Sequence, residues 1–172
     1  MAFMVYGKQS DFVPAPAGLH QAVCVDRVDL GIKETRWGKK HKVRLRWQID
    51  EKMPETGKRF SVFKDYTLSI HPDSNLRKDL ESWRGRPFTG EAVNGFDLDS
   101  VVGANCQLQI VHNKSKDGPV YANVMTVIPI GKGMKKLEPE DYIREQERQP
   151  EDRWQQDSGD GSFEASSDDV PF

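Results

Sequence analysis

The sequence predicts an all-β fold: five antiparallel strands, one helix between the third and fourth, and an acidic tail. Three observations lead there. Several segments alternate apolar and polar residues with a period of two, bounded by Gly, Pro and Asp clusters, as half-buried strands do. One stretch, around residues 74–85, takes on helical spacing instead. The charge is also divided: residues 1–131 carry 19 Lys and Arg against 15 Asp and Glu, whereas residues 132–172 carry 6 against 12. The net charge of −2 thus hides a mildly basic body joined to an acidic end.

Residues 1–17 read as an extension closing on Val13-Pro14-Ala15-Pro16-Ala17, where the prolines hold the chain extended. The first strand is expected from Leu19 to Leu30, with Val23, Val25 and Val28 as its β-branched residues. A loop around Gly31 and Gly38 then carries Lys33, Arg36, Trp37, Lys39 and Lys40. In the second strand Val43, Leu45, Trp47 and Ile49 alternate with Lys42, Arg44, Arg46 and Gln48, which predicts one apolar and one cationic face. Pro54-Glu55-Thr56-Gly57 is a turn. The third strand spans Arg59 to Ile70, and its alternation slips near Phe63-Lys64, which suggests a bulge.

Leu76, Leu80 and Trp83 fall on one helical face, with Asp73 or Ser74 as N-cap and Gly85 as the stop. A loop with Pro87, Gly90, Gly95 and Gly103 leads to a fourth strand from Asn105 to His112. Ser115-Lys116-Asp117-Gly118 turns the chain into a fifth strand, Val120 to Ile130. Strand signals stop at Gly131. Leu137 to Arg148 holds enough for a polar helical turn or two, and from Gln149 the composition is that of a disordered acidic segment.

Five antiparallel strands with a helix between the third and fourth is the element order of the OB-fold, a partly open Greek-key β-barrel. An SH3-like barrel or an α+β sandwich shares enough of this pattern to stay open. The expected organisation is an extension over 1–17, an OB-fold body over 18–131, and a largely disordered acidic tail over 132–172.

In an OB-fold, nucleic acid lies across strands two and three, between the one–two and four–five loops. The candidate residues collect there: Trp37, Lys39 and Lys40 in the one–two loop; Lys42, Arg44 and Arg46 on strand two; Phe63, Lys64 and Tyr66 on strand three. Lys114, Lys116 and Tyr121 flank the four–five loop. A single strand offers a phosphate chain and unstacked bases, so its binder needs a track of cations and aromatic platforms. Trp47 and Trp83 fall on apolar faces and are expected in the core. Trp37 sits in a Gly-flanked loop among cations and is the expected platform.

Other classes fit less well. Cys24 and Cys106 lie far apart in alternating apolar stretches, as buried free thiols do, and point to a reducing cytoplasm. No signal segment and no apolar run of about 20 residues suggests a membrane protein. His20, His41, His71 and His112 are scattered, and no phosphate-binding, dinucleotide or nucleophile-elbow motif is present. Asp97 and Asp99 form a carboxylate pair with no partner base. The expectation is a non-enzyme with no cofactor and no metal. An OB-fold adaptor, or an RNA binder using the same surface, is the alternative.

The chain finishes in Asp168-Asp169-Val170-Pro171-Phe172: two carboxylates, a rigid Pro and an aromatic ring, a compact anionic and apolar hook for a pocket with a basic rim. This ending resembles the tip of bacterial single-stranded DNA-binding proteins, although only two aspartates stand beside Val170, after Ser166 and Ser167. The body is similar to a family of phage and prophage single-stranded DNA-binding proteins. The likeness spans residues 13–134 and is carried by Pro14–Gly18, Trp47-Gln48-Ile49-Asp50, Tyr66-Thr67-Leu68-Ser69, Ser74–Lys78, Trp83–Phe88 and Tyr121-Ala122-Asn123. The resemblance implies sequence-independent binding and protection of single-stranded DNA in replication, recombination and repair, in a bacterial host cytoplasm. It also implies recruitment of host or phage replication, recombination or repair proteins through the C-terminal residues. Homo-oligomerisation is compatible with it.

Overall fold

The computed structural model describes residues 13–90, 94–114 and 120–147 of the 172. Strand β1 (Gly18–Thr35) leads into β2 (Gly38–Lys52) and β3 (Arg59–Thr67), followed by helix α1 (Asn75–Arg84). A short 3-10 turn (Leu98–Val101) precedes β4 (Asn105–Lys114) and β5 (Val120–Ile128), and a second 3-10 turn covers Glu145–Glu147. The strands form one antiparallel sheet in the order β3-β2-β1-β4-β5. The edge strands β3 and β5 approach one another. No hydrogen-bonded ladder joins them among the described residues, so the sheet is not closed into the barrel that the sequence predicts.

One strand organises the sheet. β1 is 18 residues long and changes partners along its length, pairing with β4 over Gly18–Val23 and with β2 over Ala22–Thr35. Its register shifts between Cys24 and Asp26 and again between Asp29 and Gly31. Such bulges bend and twist a strand too long to stay flat. The loop expected around residues 31–38 is therefore a continuation of both strands, closed by the two-residue turn Arg36-Trp37.

The apolar face of β2 faces the core, as its alternation predicts. Val43, Leu45, Trp47 and Ile49 are buried with Leu76, Leu80 and Trp83 of α1. The Trp47 and Trp83 rings stand 6.1 Å apart, and Trp83 donates its indole N–H to the Asn105 carbonyl at 2.9 Å. The helix has the limits its sequence announces: Ser74 Oγ accepts the Arg77 N–H, and Gly85 adopts φ 73°. A side chain at Gly85 is doubly opposed, because a Cβ there would also stand 3.3 Å from the Pro129 ring. Cys24 and Cys106 are free and buried in this core, and burial pushes the Cys24 thiol up to about 12. Among the described residues no helix is long and apolar enough to cross a membrane.

The chain does not leave the body at residue 131. Residues 132–147 run back across the polar side of the sheet as an extended strap, not as the polar helical turns expected near Leu137. Two side-chain amides hold its backbone in the way a neighbouring strand would. Asn105 donates to the Leu137 carbonyl at 3.0 Å and accepts its N–H at 2.7 Å. Gln48 does the same for Glu140, at 2.7 and 2.8 Å. At the far end the strap reaches Asp26, a carboxylate only 1% exposed. Asp26 accepts from the Tyr142 hydroxyl at 2.7 Å, Arg144 Nε at 3.2 Å and the Glu145 N–H at 2.8 Å. A charge so deeply buried is tolerable only with such a full set of donors.

Candidate nucleic-acid interface

Beyond Lys42, which pairs with Thr67 at the end of β3, β2 has only β1 beside it. Residues 31–42 therefore project as a two-stranded ribbon, and the Arg36-Trp37 turn is its end. Trp37 is 64% exposed, with the Arg36 guanidinium 5.5 Å from its ring, and Ile32 is 69% exposed. Lys33, Lys39 and Lys40 are exposed along the ribbon, and Lys42 is half-buried with its ammonium on the Thr67 hydroxyl at 2.8 Å.

Pairing fixes which of these cations face the same way, because residues directly opposite in an antiparallel pair share a face. Lys33 stands opposite Lys40. By the period of two, Lys40 shares its face with Lys42, Arg44 and Arg46. Two lysines directly opposite repel, and neither makes an ion pair among the described residues. A polyanion lying on this face relieves that repulsion. Lys39 faces Glu34 on the reverse side, where His41 is hydrogen-bonded to Asp29 at 2.6 Å. That bond, with a second from the Gly31 N–H, holds the Asp29 carboxyl below its usual range.

Further along the same face of β2 the cations are not free. Arg44 and Arg46 are each 5% exposed. Arg44 forms a bidentate pair with Asp65, at 2.6 and 3.1 Å, and its guanidinium lies 4.0 Å over the Phe63 ring. Arg46 lies 5.6 Å from the same ring. The exposed cationic face expected here is instead a sealed layer in which the two arginines hold Phe63 between them. Phe63 itself is half-buried and, among the described residues, supplies the aromatic ring on this part of the face.

Strand β3 corrects two further expectations. Its register against β2 is continuous from Thr67 to Ser61, with no bulge at Phe63-Lys64. The alternation slips because Lys64 occupies an inward-facing position and neutralises itself on α1, with its ammonium 2.8 Å from Asp79. Tyr66 is 2% exposed, its hydroxyl donating to Asp79 at 2.6 Å, and burial drives its phenol well above the usual value. Lys64 and Tyr66 belong to the junction of helix and sheet, not to the nucleic-acid face.

At the other end of the sheet Lys114 is exposed and Tyr121 half-buried opposite Asn113. Lys116 and the five residues Asp168, Asp169, Val170, Pro171 and Phe172 lie outside the described residues. The structure thus brings Trp37, Lys39, Lys40 and Lys42 together on the ribbon, and adds Lys33 and Arg36. Those two were hidden by reading residues 31–38 as a loop, in which side chains have no common facing. Continuing the second strand's alternation back through Lys40 would have revealed the ribbon.

The acids considered for catalysis have structural partners. Asp97 accepts the Asp99 N–H at the start of its 3-10 turn. Asp99 is held between Arg27, at 2.9 and 3.0 Å, and Arg144, at 3.3 Å, and its bonds from Arg27 keep its carboxyl low. Among the described residues no three His, Cys, Asp or Glu side chains are grouped to hold a metal ion. The chain matches no protein-family model and no curated protein.

Proposed function

We propose that this protein binds single-stranded DNA without catalysis and with little sequence preference, using the β1–β2 ribbon as its principal contact. The observation that carries this reading is the ribbon itself: Trp37 exposed at its end, and Lys33 directly opposite Lys40 beside it. A stacked base is worth roughly 1–3 kcal/mol, and each phosphate neutralised adds salt-dependent attraction. The strand order, with its helix between β3 and β4, supports an OB-type fold left open between its edge strands. On that reading the ribbon is the elongated one–two loop that borders the ligand face.

The proposed setting is the replication, recombination and repair of phage DNA in a bacterial cytoplasm. There the acidic segment ending in Asp168-Asp169-Val170-Pro171-Phe172 recruits replication or repair proteins. Fluorescence anisotropy with labelled single-stranded DNA, duplex DNA and RNA, each titrated with salt, tests the reading. Tighter binding of single-stranded DNA than of duplex, falling steeply with salt, is the expected result. Equal affinity for both removes it, preference for RNA replaces the ligand, and no salt-sensitive binding leaves an adaptor.

A further inference from the structure

A second feature of the molecule has no part in the ribbon. Between the C-terminal end of α1, the Leu98–Val101 turn and the exit of β5 lies a cleft of about 330 Å³. Its lining is largely apolar, with Leu80, Trp83, Phe96, Val101, Ala104 and Ile130, and no ribbon residue takes part. This is within the roughly 300–1,000 Å³ typical of small-ligand sites. Arg84 also lines the cleft. Its guanidinium sits 4.4 Å over the Phe88 ring, and its Nη1 is buried with no hydrogen-bond partner. The nearby Glu81 carboxylate is already committed to Arg77 at 2.7 Å and to the Phe88 N–H. A buried, charged donor left without an acceptor is costly, and native proteins seldom keep one that nothing ever satisfies.

The cleft therefore asks for a ligand with an apolar group for its floor and a carboxylate for Arg84. The chain carries such a segment. Asp168-Asp169-Val170-Pro171-Phe172 joins two carboxylates to an aliphatic side chain, a Pro and an aromatic ring. Arg86 follows Arg84 after one residue, and Lys132 follows Ile130 after one, so cations adjoin the lining where the segment's negative charge would lie. Reach is no obstacle. Residues 148–172 can span roughly 80–90 Å when extended, against a radius of gyration of about 14 Å for a domain of this size.

We propose that this cleft binds the chain's own residues 168–172, with the Phe172 ring on the apolar floor and an aspartate carboxylate on Arg84. Tethering supplies the segment at an effective concentration near millimolar, so a weak contact suffices to keep the cleft occupied. Anchored there, the segment is withheld from partner proteins until one binds it more tightly. It also stays clear of the ribbon, where a mobile acidic segment would compete with phosphates.

Nuclear magnetic resonance of the full-length protein and its Phe172→Ala variant tests this directly. The substitution is expected to shift the amide resonances of Leu80, Trp83, Ala104 and Ile130 and the Arg84 side-chain Nε–H, and to leave the Trp37 indole unmoved. Asp168→Asn with Asp169→Asn should reproduce much of that shift without touching the body's own residues. A synthetic peptide of residues 164–172, added to the Phe172→Ala protein, should restore the original positions. The same peptide carrying both Asn substitutions should bind about tenfold more weakly, having lost its charge-assisted bond. Cleft resonances that stay put in both variants overturn the proposal. So does movement at Trp37 and Lys40 instead, which would put the segment on the ribbon. A shift that grows with protein concentration overturns the assignment to the same chain. None of these outcomes bears on whether the ribbon binds DNA, which the anisotropy measurement reads separately.

Discussion

β2 offers two halves of one face for comparison. From Lys40 to Lys42 its cations belong to a ribbon that nothing covers, whereas from Arg44 to Gln48 the same alternating face is buried. The residue types hardly differ. What differs is the company each half keeps: the outer half has only β1 beside it, and the inner half has β3, Phe63, Asp65 and the strap. A periodic cationic strand is thus evidence of a common facing and not of a common exposure. In this molecule one half of the face is available to a ligand, and the other supports it.

The largest expected effect comes from opening the covered half. Tyr142→Phe with Arg144→Met removes two of the three donors on the Asp26 carboxylate. Stranding a buried charge costs about 3–5 kcal/mol, which urea unfolding would measure. A loss below about 1 kcal/mol would mean that the strap lifts and water takes its place, so that the inner half is covered only conditionally.

The ribbon should respond in binding and not in stability. Trp37→Ala is expected to weaken single-stranded DNA binding by roughly 1–3 kcal/mol with little change in Tm, because an exposed ring supports no core. Trp47→Ala, by contrast, should cost about 3–5 kcal/mol of stability. A Trp37→Ala protein that binds normally moves the platform elsewhere, with half-buried Phe63 as the next aromatic on the face.

Charge sharpens the division further. Lys33→Gln with Lys40→Gln should flatten the slope of log affinity against log salt by about 0.7 for each phosphate no longer neutralised. Relief of the cross-strand repulsion should leave stability equal or slightly higher. Arg44→Gln should leave the salt slope unchanged and lower stability instead, since Arg44 is spent on Asp65 and Phe63. Matching slopes for the two variants would erase the distinction between the halves.

The smallest effect concerns pH at the base of the ribbon. The Asp29 carboxyl lies below its usual value of 3.8 because His41 and the Gly31 N–H bond it. A lowered folded-state value means that its contribution is fully present above the unfolded carboxylate range and lost as pH falls through the folded value. Resonances of Ile32, Lys33 and Lys40 should therefore loosen in acid before those of Arg44 and Phe63 do. His41→Ala should raise the Asp29 midpoint, and an unchanged midpoint would detach His41 from the ribbon's stability.

Much of the fold was legible without coordinates, because it is locally encoded. The helix limits follow from a Ser that can cap and a Gly that tolerates positive φ, and its buried face from the spacing of Leu76, Leu80 and Trp83. The facing of Val43, Leu45, Trp47 and Ile49 follows from alternation alone. The turn at residues 54–57 and the burial of both cysteines follow as simply. The candidate site was legible only in part. Trp37, Lys39, Lys40 and Lys42 lie together as expected, but Lys64 and Tyr66 turn to α1, and nothing in their own neighbourhood announces Asp79.

The sequence by itself determined the order of the elements, the core-facing set and the position of the exposed tryptophan, since each depends on residues a few places apart. Only the tertiary structure decided which cations remain in solvent and where the folded chain continues past residue 131. The contacts that settle those questions join Gln48 to Glu140 across 92 residues and Asp26 to Tyr142 across 116. Periodicity records which way a side chain points. Whether something lies against it depends on segments far away in the chain, and they leave no mark on the local pattern.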